Sequence, residues 1–180
     1  YFGEGAANQG QVYEAFNMAS LWKLPVVFVI ENNQYAMGTS VVRASSTEEM
    51  FARGLAFNIP GKAVNGMNVL DVAKEAAHAA DHCRAGKGPF ILEMKTYRYR
   101  GHSMSDPAKY RTREEVKKVR EEKDPIDTLR SILIGEHKVL EKEFKELDAE
   151  IKVIVTEASD FALNSPEPDI KELWTDVYAD

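Results

Sequence analysis

The stretch VVFVIENN, residues 26–33, decides the fold. Its apolar half is continuous rather than alternating, it is too short for a helix, and Pro25 stands just before it. A strand buried on both faces reads this way, and such strands belong to parallel sheets. Upstream, Val12, Ala15, Phe16, Ala19 and Trp22 recur at the three-and-four spacing of an amphipathic helix over residues 9–23, with Phe16, Met18 and Trp22 expected in the core. The chain opens on Tyr1-Phe2, which reads as the end of another strand. Strands are usually longer, so an N-terminal portion is expected to be missing. Downstream, SSTEEMFARG offers Ser46 and Glu49 as the capping box of a short helix, and GKAVNG reads as a short strand. Asn68 is expected to cap the next helix, with Val69, Val72, Ala73, Ala76, Ala80 and Cys83 on one face. GKGP ends that helix, and FILEMKTY is a further strand. The alternation predicts an α/β domain whose largely parallel sheet is flanked by helices.

After Tyr97 the character changes. RYRGHSMSDPAKYR has no periodicity and is too long for a mere connector, which signals a functional loop. Thr112 and Glu115 form a second capping box, opening a charged helix. Another helix is expected to start near Pro125, and a last long one carries Leu140, Phe144, Leu147, Ile151, Ile154, Ala158 and Phe161. That stripe is expected to pack on its own subunit, with a coiled-coil seam or another inter-subunit role as the alternative. SPEPD breaks the helix before a short C-terminal segment. The expected organisation is an α/β domain over residues 1–113, including a loop at 98–113, and a helical C-terminal extension over 114–180.

Composition narrows the function. At 180 residues and 44% hydrophobic content, one domain can bury a core. The formal charge of −6 argues against nucleic acid and against an anionic membrane surface, and no apolar run is long enough to span a bilayer. The single cysteine, Cys83, excludes an internal disulfide, suits a reducing compartment and lacks a flanking base to activate it.

In a doubly wound sheet, ligands bind beyond the carboxyl ends of the strands. GEGAANQG, residues 3–10, sits at such an end. Gly3 and Gly5 let the backbone approach a ligand, and the following helix start favours phosphate. Glu4 between them would repel phosphate unless a cation intervened, so it reads as a magnesium ligand bridging to a diphosphate. Alone, the motif is equally that of a glycine turn with a solvated acid. Asn33, 29 positions on, closes the next strand. Sequential parallel strands are usually neighbours, so an amide oxygen and a carboxylate should converge on one sheet edge. For Asn32-Asn33 alone, an ordinary turn explains the residues.

A glycine–acid–glycine followed about thirty residues later by Asn-Asn resembles the thiamine diphosphate motif. The segments GEGAANQGQVYEAFNMASLWKLPVVFVIENNQYAMGTS and TYRYRGHSMSDPAKYRTREE resemble the alpha subunits of pyruvate dehydrogenases, and the likeness covers essentially the whole chain. It implies a thiamine-diphosphate-binding fold and a 2-oxo acid oxidoreductase that decarboxylates pyruvate and transfers an acetyl unit to the lipoyl domain of an acyltransferase. It also implies two alpha and two beta subunits, with the beta chain supplying the carboxylate that activates the aminopyrimidine, so the isolated chain is expected to be inactive. By the same resemblance Glu4 and Asn33 give side-chain oxygens to Mg2+, Tyr35 gives its main-chain carbonyl, and Gly5 and Ala6 line the diphosphate. One departure stands out: pyruvate dehydrogenases usually have Asp where this chain has Glu4. An extra methylene moves the carboxylate by roughly 1.5 Å, which a small backbone shift absorbs. Branched-chain 2-oxo acid dehydrogenase alpha subunits have Glu there, so the departure bears on substrate more than on cofactor.

The loop at 98–113 reverses the local charge, with Lys95, Arg98, Arg100, Lys109, Arg111 and Arg113 against Asp106 alone. That suggests an anionic partner. Tyr97, Tyr99 and Tyr110 interleave as in single-strand binders, yet the stretch is short and the chain acidic. By residue type His102 is as readily a surface histidine as a functional one. The resemblance instead places His102 and Arg98 at the active site, as catalytic residues, with His102 also near the cofactor. Mitochondrial relatives are phosphorylated at a serine matching Ser103, and a second such serine has no counterpart because Lys109 precedes Tyr110. A bacterial-type, cytoplasmic enzyme without that control is expected, with a mitochondrial matrix enzyme as the alternative.

His78 and His82 have the spacing of a zinc pair, but Lys74, Glu75 and Asp81 mark a solvated face. His137 reads as a helix-end residue. The runner-up functions are a branched-chain 2-oxo acid or acetoin dehydrogenase alpha subunit and a non-catalytic scaffold piece. A magnesium-dependent phosphatase or nucleotide-binding module would need an acidic nucleophile or a lysine-bearing phosphate loop, and neither is evident.

Overall fold

The computed structural model describes residues 1–177. Two compact units divide it, Tyr1–Ser131 and a second from Ile132 onward. In the first unit four strands form one parallel sheet: β1 (Phe2–Gly3), β2 (Val27–Asn32), β5 (Gly61–Asn65) and β6 (Phe90–Lys95), in the spatial order β1-β2-β6-β5. The central pair β2–β6 is apolar on both faces, as the unbroken run at residues 26–30 predicts. Side chains of alternate parity feed two cores. Ile30 and Ile91 point to one, with Phe16, Met50 and Ile59. Val29, Phe90, Leu92 and Met94 point to the other, with Val64, Ala79 and Cys83.

The first core is closed by α1 (Gly10–Leu21) and by a 3-10 helix, Met50–Phe57. Helix α1 buries only Phe16 and Ala19. Ala15 is exposed, as are Met18 and Trp22, the last at 58%, so the expected core reaches too far along this helix. The helix ends at Leu21, leaving Trp22 outside it at the C-cap, and the chain turns next at Lys23 (φ 51°).

The second core is closed by α3 (Val69–Arg84), capped as expected by Asn68, whose Oδ1 accepts from the N–H groups of Leu70 (3.0 Å) and Asp71 (3.2 Å). Its buried line is Glu75, Ala79 and Cys83, with Val72 half-buried, whereas Val69, Ala73 and Ala76 of the predicted face are exposed. Glu75 can sit there because Lys62 Nζ reaches it at 2.7 Å, and that bond holds its carboxyl below the usual carboxylate range. His82 is half-buried rather than solvated, edge-on to Phe90 with ring centroids 5.3 Å apart; His78 is exposed. Among the described residues no three His, Cys, Asp or Glu side chains group to hold a metal. Burial pushes the Cys83 thiol up, which keeps it inert. The helix closes on Gly86 in the left-handed region (φ 70°), a conformation glycine adopts without steric cost.

Two elements escaped the sequence reading. A two-stranded antiparallel hairpin pairs β3 (Tyr35–Ala36) with β4 (Thr39–Ser40), and α2 (Val41–Ala44) follows at once. The expected Ser46 cap does not form: the 3-10 helix starts at Met50 with Glu49 at its N-cap and no side-chain cap, and Thr47 Oγ1 accepts the Glu49 N–H. The Thr112 cap of α4 (Arg113–Lys123) is present, Oγ1 accepting from Glu115 N–H at 3.1 Å. The Glu115 carboxylate does not complete the box, because it accepts the Tyr97 hydroxyl at 2.8 Å. This bond and Tyr99 Oη to Asp124 (3.0 Å) tie α4 to the preceding loop, so the first unit continues past residue 113. Burial and the Asp124 carboxylate push the Tyr99 phenol up to about 12.

Helix α5 (Pro125–His137) begins and ends where expected, with His137 last. Helix α6 (Glu141–Asn164) buries none of its residues, and Leu147, Ile151, Ile154 and Phe161 are all exposed. Of that stripe only Phe144 is half-buried, so the expected packing is not seen for those four residues. Leu140 stands at the N-cap, outside the helix. A last 3-10 turn, Ile170–Trp174, follows the proline-rich break. No helix among the described residues is long and apolar enough to cross a membrane.

Candidate functional site

Parallel pairing in register, Phe2 with Ile30 and Gly3 with Glu31, sends the loops after β1 and β2 out over the same rim. Glu4 and Asn33 meet there: Glu4 Oε2 accepts the Asn33 N–H at 3.2 Å. Glu4 is 3% exposed, which is uncommon for a carboxylate without an opposite charge beside it. Gly5 turns the chain into a short 3-10 helix, Ala6–Asn8, whose first bonds are made by the N–H groups of Asn8 and Gln9. A Cβ at Gly5 would stand 2.5 Å from Ala36 Cβ, so the absence of a side chain is what lets the first loop close on the hairpin.

The turn after β2 is held from within. Asn32 Oδ1 accepts from Gln34 N–H (3.0 Å) and Gln34 Nε2 (3.2 Å), and Asn33 Oδ1 accepts the Tyr35 N–H at 3.3 Å. Gln34 itself is left-handed at φ 75°, a conformation that costs a non-glycine residue roughly 1–2 kcal/mol. Such strain persists only where neighbours over-determine it, as these bonds and Val41 N–H on the Gln34 carbonyl (3.0 Å) do. The oxygens at this rim, one carboxylate, one amide and main-chain carbonyls, are the hard donors that suit magnesium. A cleft of about 670 Å³ opens beside them, with Asn33, Glu31 and Arg98 at the polar end and Val29, Leu92 and Met94 of the sheet face along its wall.

Arg98 reaches the hairpin. Its guanidinium donates to the carbonyls of Tyr35 (3.4 Å) and Met37 (2.9 Å), to the Tyr110 hydroxyl (2.9 Å) and to the Arg100 carbonyl (3.2 Å). His102 lies on the exposed outside of the loop, and its backbone N–H donates to Asp106 Oδ2 at 2.7 Å. Among the described residues no hydrogen bond joins the His102 ring to Glu4 or Asn33.

Sequence reasoning missed the residue that organises this loop. Arg111, counted among the cations offered to an anionic partner, is 8% exposed. Its guanidinium donates to the carbonyls of Arg98 and Arg100 and lies 5.0–5.6 Å from the ring centroids of Tyr35, Tyr97 and Tyr110. The interleaved tyrosines were the available signal: two of them, Tyr97 and Tyr110, join Tyr35 in a cage for an internal cation.

Asp106 completes the loop. It accepts from the backbone N–H of His102, the Tyr110 hydroxyl (2.7 Å) and the Ala108 N–H (2.9 Å), and these bonds, the His102 one foremost, hold its carboxyl at about 2. A lowered folded-state value means its contribution is fully present above the ordinary carboxylate value of 3.8 and is lost as pH falls towards about 2. Pepsin cleavage within residues 98–111 should therefore rise steeply as the pH falls through that window. Asp106→Asn should be cleaved near pH 3.8 about as fast as the wild type near pH 2; equal resistance of the two at the upper value would contradict the assignment.

A family model described as dehydrogenase E1 component matches residues 1–171. The chain is 58% identical over 177 residues to the pyruvate dehydrogenase E1 component subunit alpha of Rhizobium meliloti (strain 1021), covering 98% of this chain and 51% of that protein. It is likewise 58% identical to the protein of that name from Zymomonas mobilis subsp. mobilis, with coverage of 98% and 50%. Similarity to the testis-specific, mitochondrial form of Rattus norvegicus is 52% over 178 residues, covering 98% of this chain and 45% of the relative. The chain thus spans about half the length of the curated relatives it matches.

Proposed function

The chain belongs to the dehydrogenase E1 component family, and from that premise we propose that it is the metal- and diphosphate-holding part of a pyruvate dehydrogenase alpha subunit. With a beta subunit it would carry out thiamine-diphosphate-dependent oxidative decarboxylation of pyruvate and pass the acetyl unit to a lipoyl group of the acyltransferase. The observation that carries this reading is the meeting of buried Glu4 with Asn33 across two neighbouring strand ends. Bound thiamine diphosphate would supply the nucleophilic carbon and the electron sink that decarboxylation of a 2-oxo acid requires.

The chain's own residues bind and orient. Glu4 and Asn33 give side-chain oxygens to Mg2+ and Tyr35 its carbonyl, while the backbone at Gly5 and Ala6 lines the diphosphate. The Tyr35 carbonyl has a second lone pair, so the contact from Arg98 does not exclude the metal. Arg98 thereby fixes the hairpin from the loop side. His102, on the outer loop, is left free to approach a substrate that enters beside it. Activation of the cofactor is assigned to the beta subunit, so the 180-residue chain alone is expected not to turn over pyruvate. Lys109 before Tyr110 supports a bacterial-type, cytoplasmic enzyme.

Calorimetric titration of the assembled full-length subunits with thiamine diphosphate tests this. Tight binding is expected only with Mg2+ present, and equal binding in its absence overturns the metal site. Turnover on pyruvate should exceed that on 2-oxoisovalerate or acetoin; the reverse order would move the chain to a sister enzyme, as Glu4 in place of Asp would then suggest.

A further inference from the structure

One buried carboxylate takes no direct part in the metal site. Glu93 lies in the middle of β6, 0% exposed, on the face of the sheet that carries Ile30 and Ile91. Both its oxygens are engaged by N–H donors: Oε1 accepts from Asn32 Nδ2 at 2.7 Å and Oε2 from the Phe51 backbone N–H at 3.1 Å. Asn32, itself 1% exposed, uses its other terminus to hold the left-handed Gln34.

The bonds form a directional chain. Phe51 donates to Glu93, Asn32 donates to Glu93, and Gln34 donates to Asn32. Only a side chain that accepts at both of its ends fits position 93. Because Asn32 must spend its NH2 on Glu93, its carbonyl oxygen is obliged to face Gln34, where the turn needs an acceptor. We propose that Glu93 is a positioning residue of the metal site: by acceptance alone it sets the amide orientation of Asn32, and through it the turn that presents Asn33 and the Tyr35 carbonyl. The inference rests on the metal-site reading above for its function, though not for its geometry.

The same 3-10 helix that supplies the Phe51 N–H also holds the first loop. Arg53 Nη1 donates to the Ala7 carbonyl (2.8 Å), Asn8 Oδ1 (2.8 Å) and the Tyr13 hydroxyl (3.1 Å). Residues 50–57 thus brace both loops of the rim, one through Arg53 and the other through Glu93. A carboxylate buried to this degree is costly to desolvate, and a purely apolar β6 would pack the same face without it.

Polarity gives a test that packing does not. In Glu93→Gln one terminus becomes an NH2, which must face either the Phe51 N–H or the Asn32 NH2. If Asn32 rotates to accept, its own NH2 turns on the Gln34 N–H and the turn is lost. Asn32→Asp alone sets two carboxylates against each other. The double variant Asn32→Asp/Glu93→Gln restores every bond at unchanged net charge. The amide introduced at position 93 donates to the carboxylate introduced at position 32 and accepts from the Phe51 N–H. That carboxylate still accepts from Gln34.

The experiment uses the assembled full-length alpha and beta subunits. The first readout is backbone amide exchange of residues 31–40 without metal or cofactor; the second is the Mg2+ concentration giving half-maximal thiamine diphosphate binding. Each single variant is expected to speed exchange of the Gln34 amide and to raise the Mg2+ requirement by about 10–100-fold, the range for lost outer-shell partners. The double variant should return both to within about threefold of wild type. Additive losses in the double variant overturn the proposal, since a packing or charge role predicts them. Should exchange be restored while wild-type binding proves indifferent to Mg2+, the metal-site reading falls and Glu93's hold on the turn stands.

Discussion

Asn33→Ala in the assembled enzyme is expected to weaken magnesium-dependent thiamine diphosphate binding by about a hundredfold or more. Loss of an outer-shell partner typically costs about 10–100-fold, and removing a proposed ligand should reach at least the top of that range. The variant does two things. It deletes the side-chain oxygen offered to the metal, and it deletes the acceptor for the Tyr35 N–H, whose carbonyl is offered as well. The Glu4 contact survives, because it is made to the Asn33 backbone N–H. The fold should hardly notice, since one hydrogen bond on a half-buried turn is worth about 1 kcal/mol. Calorimetric affinity and the melting temperature read together separate the two effects. Unchanged affinity would remove Asn33 from the metal, and Asn33→Asp, which keeps an oxygen in place, should recover most of the loss.

Arg111→Ala is expected to open the loop at residues 98–111 while leaving the sheet intact. The guanidinium satisfies two carbonyls and stacks among three tyrosine rings from an almost fully buried position. Charge-assisted hydrogen bonds contribute about 1.5–3 kcal/mol. Desolvated cation–π contacts add about 1–2 kcal/mol. A net local cost of about 3 kcal/mol raises loop exchange roughly a hundredfold. Strand β6, Phe90–Lys95, ends just before the loop and should keep its protection. Arg111→Lys should not rescue, because one ammonium cannot serve two carbonyls and also lie flat against rings. Unaltered exchange in the alanine variant would show that the tyrosine cage holds without its cation.

Local pattern made the sheet readable. The runs at 26–30 and 90–92 are apolar on both parities, so they belonged between two layers before any partner was known. Asn68 and Thr112 could be placed because a cap is a contact within three residues of itself. What failed depended on residues far along the chain. Trp22 and Ala15 fit the helical spacing, but the layer they would face is narrower than the stripe. Glu75 and Glu93 interrupt apolar patterns and look solvated until Lys62, Asn32 and Phe51 are seen beside them. Glu4 and Asn33, 29 positions apart, lie together because neighbouring parallel strands end on one rim, a proximity the strand order made legible. The hairpin after Asn33 was hidden because left-handed Gln34 leads into it and left-handed Met37 turns it, residue types that do not advertise such a backbone.

The strand order has a bearing on synthesis. Strand β6 lies at the centre of the sheet yet is the last of its strands to be made, and the Asn32–Glu93 bond spans 61 positions. On a ribosome, the segment that shapes the rim turn therefore emerges long before the residue that orients it. Until the chain has passed Lys95, β2 has no neighbour on that side and the turn has no template. A nascent polypeptide with this strand order would acquire its ordered rim in a single late step, when β6 slots between β2 and β5.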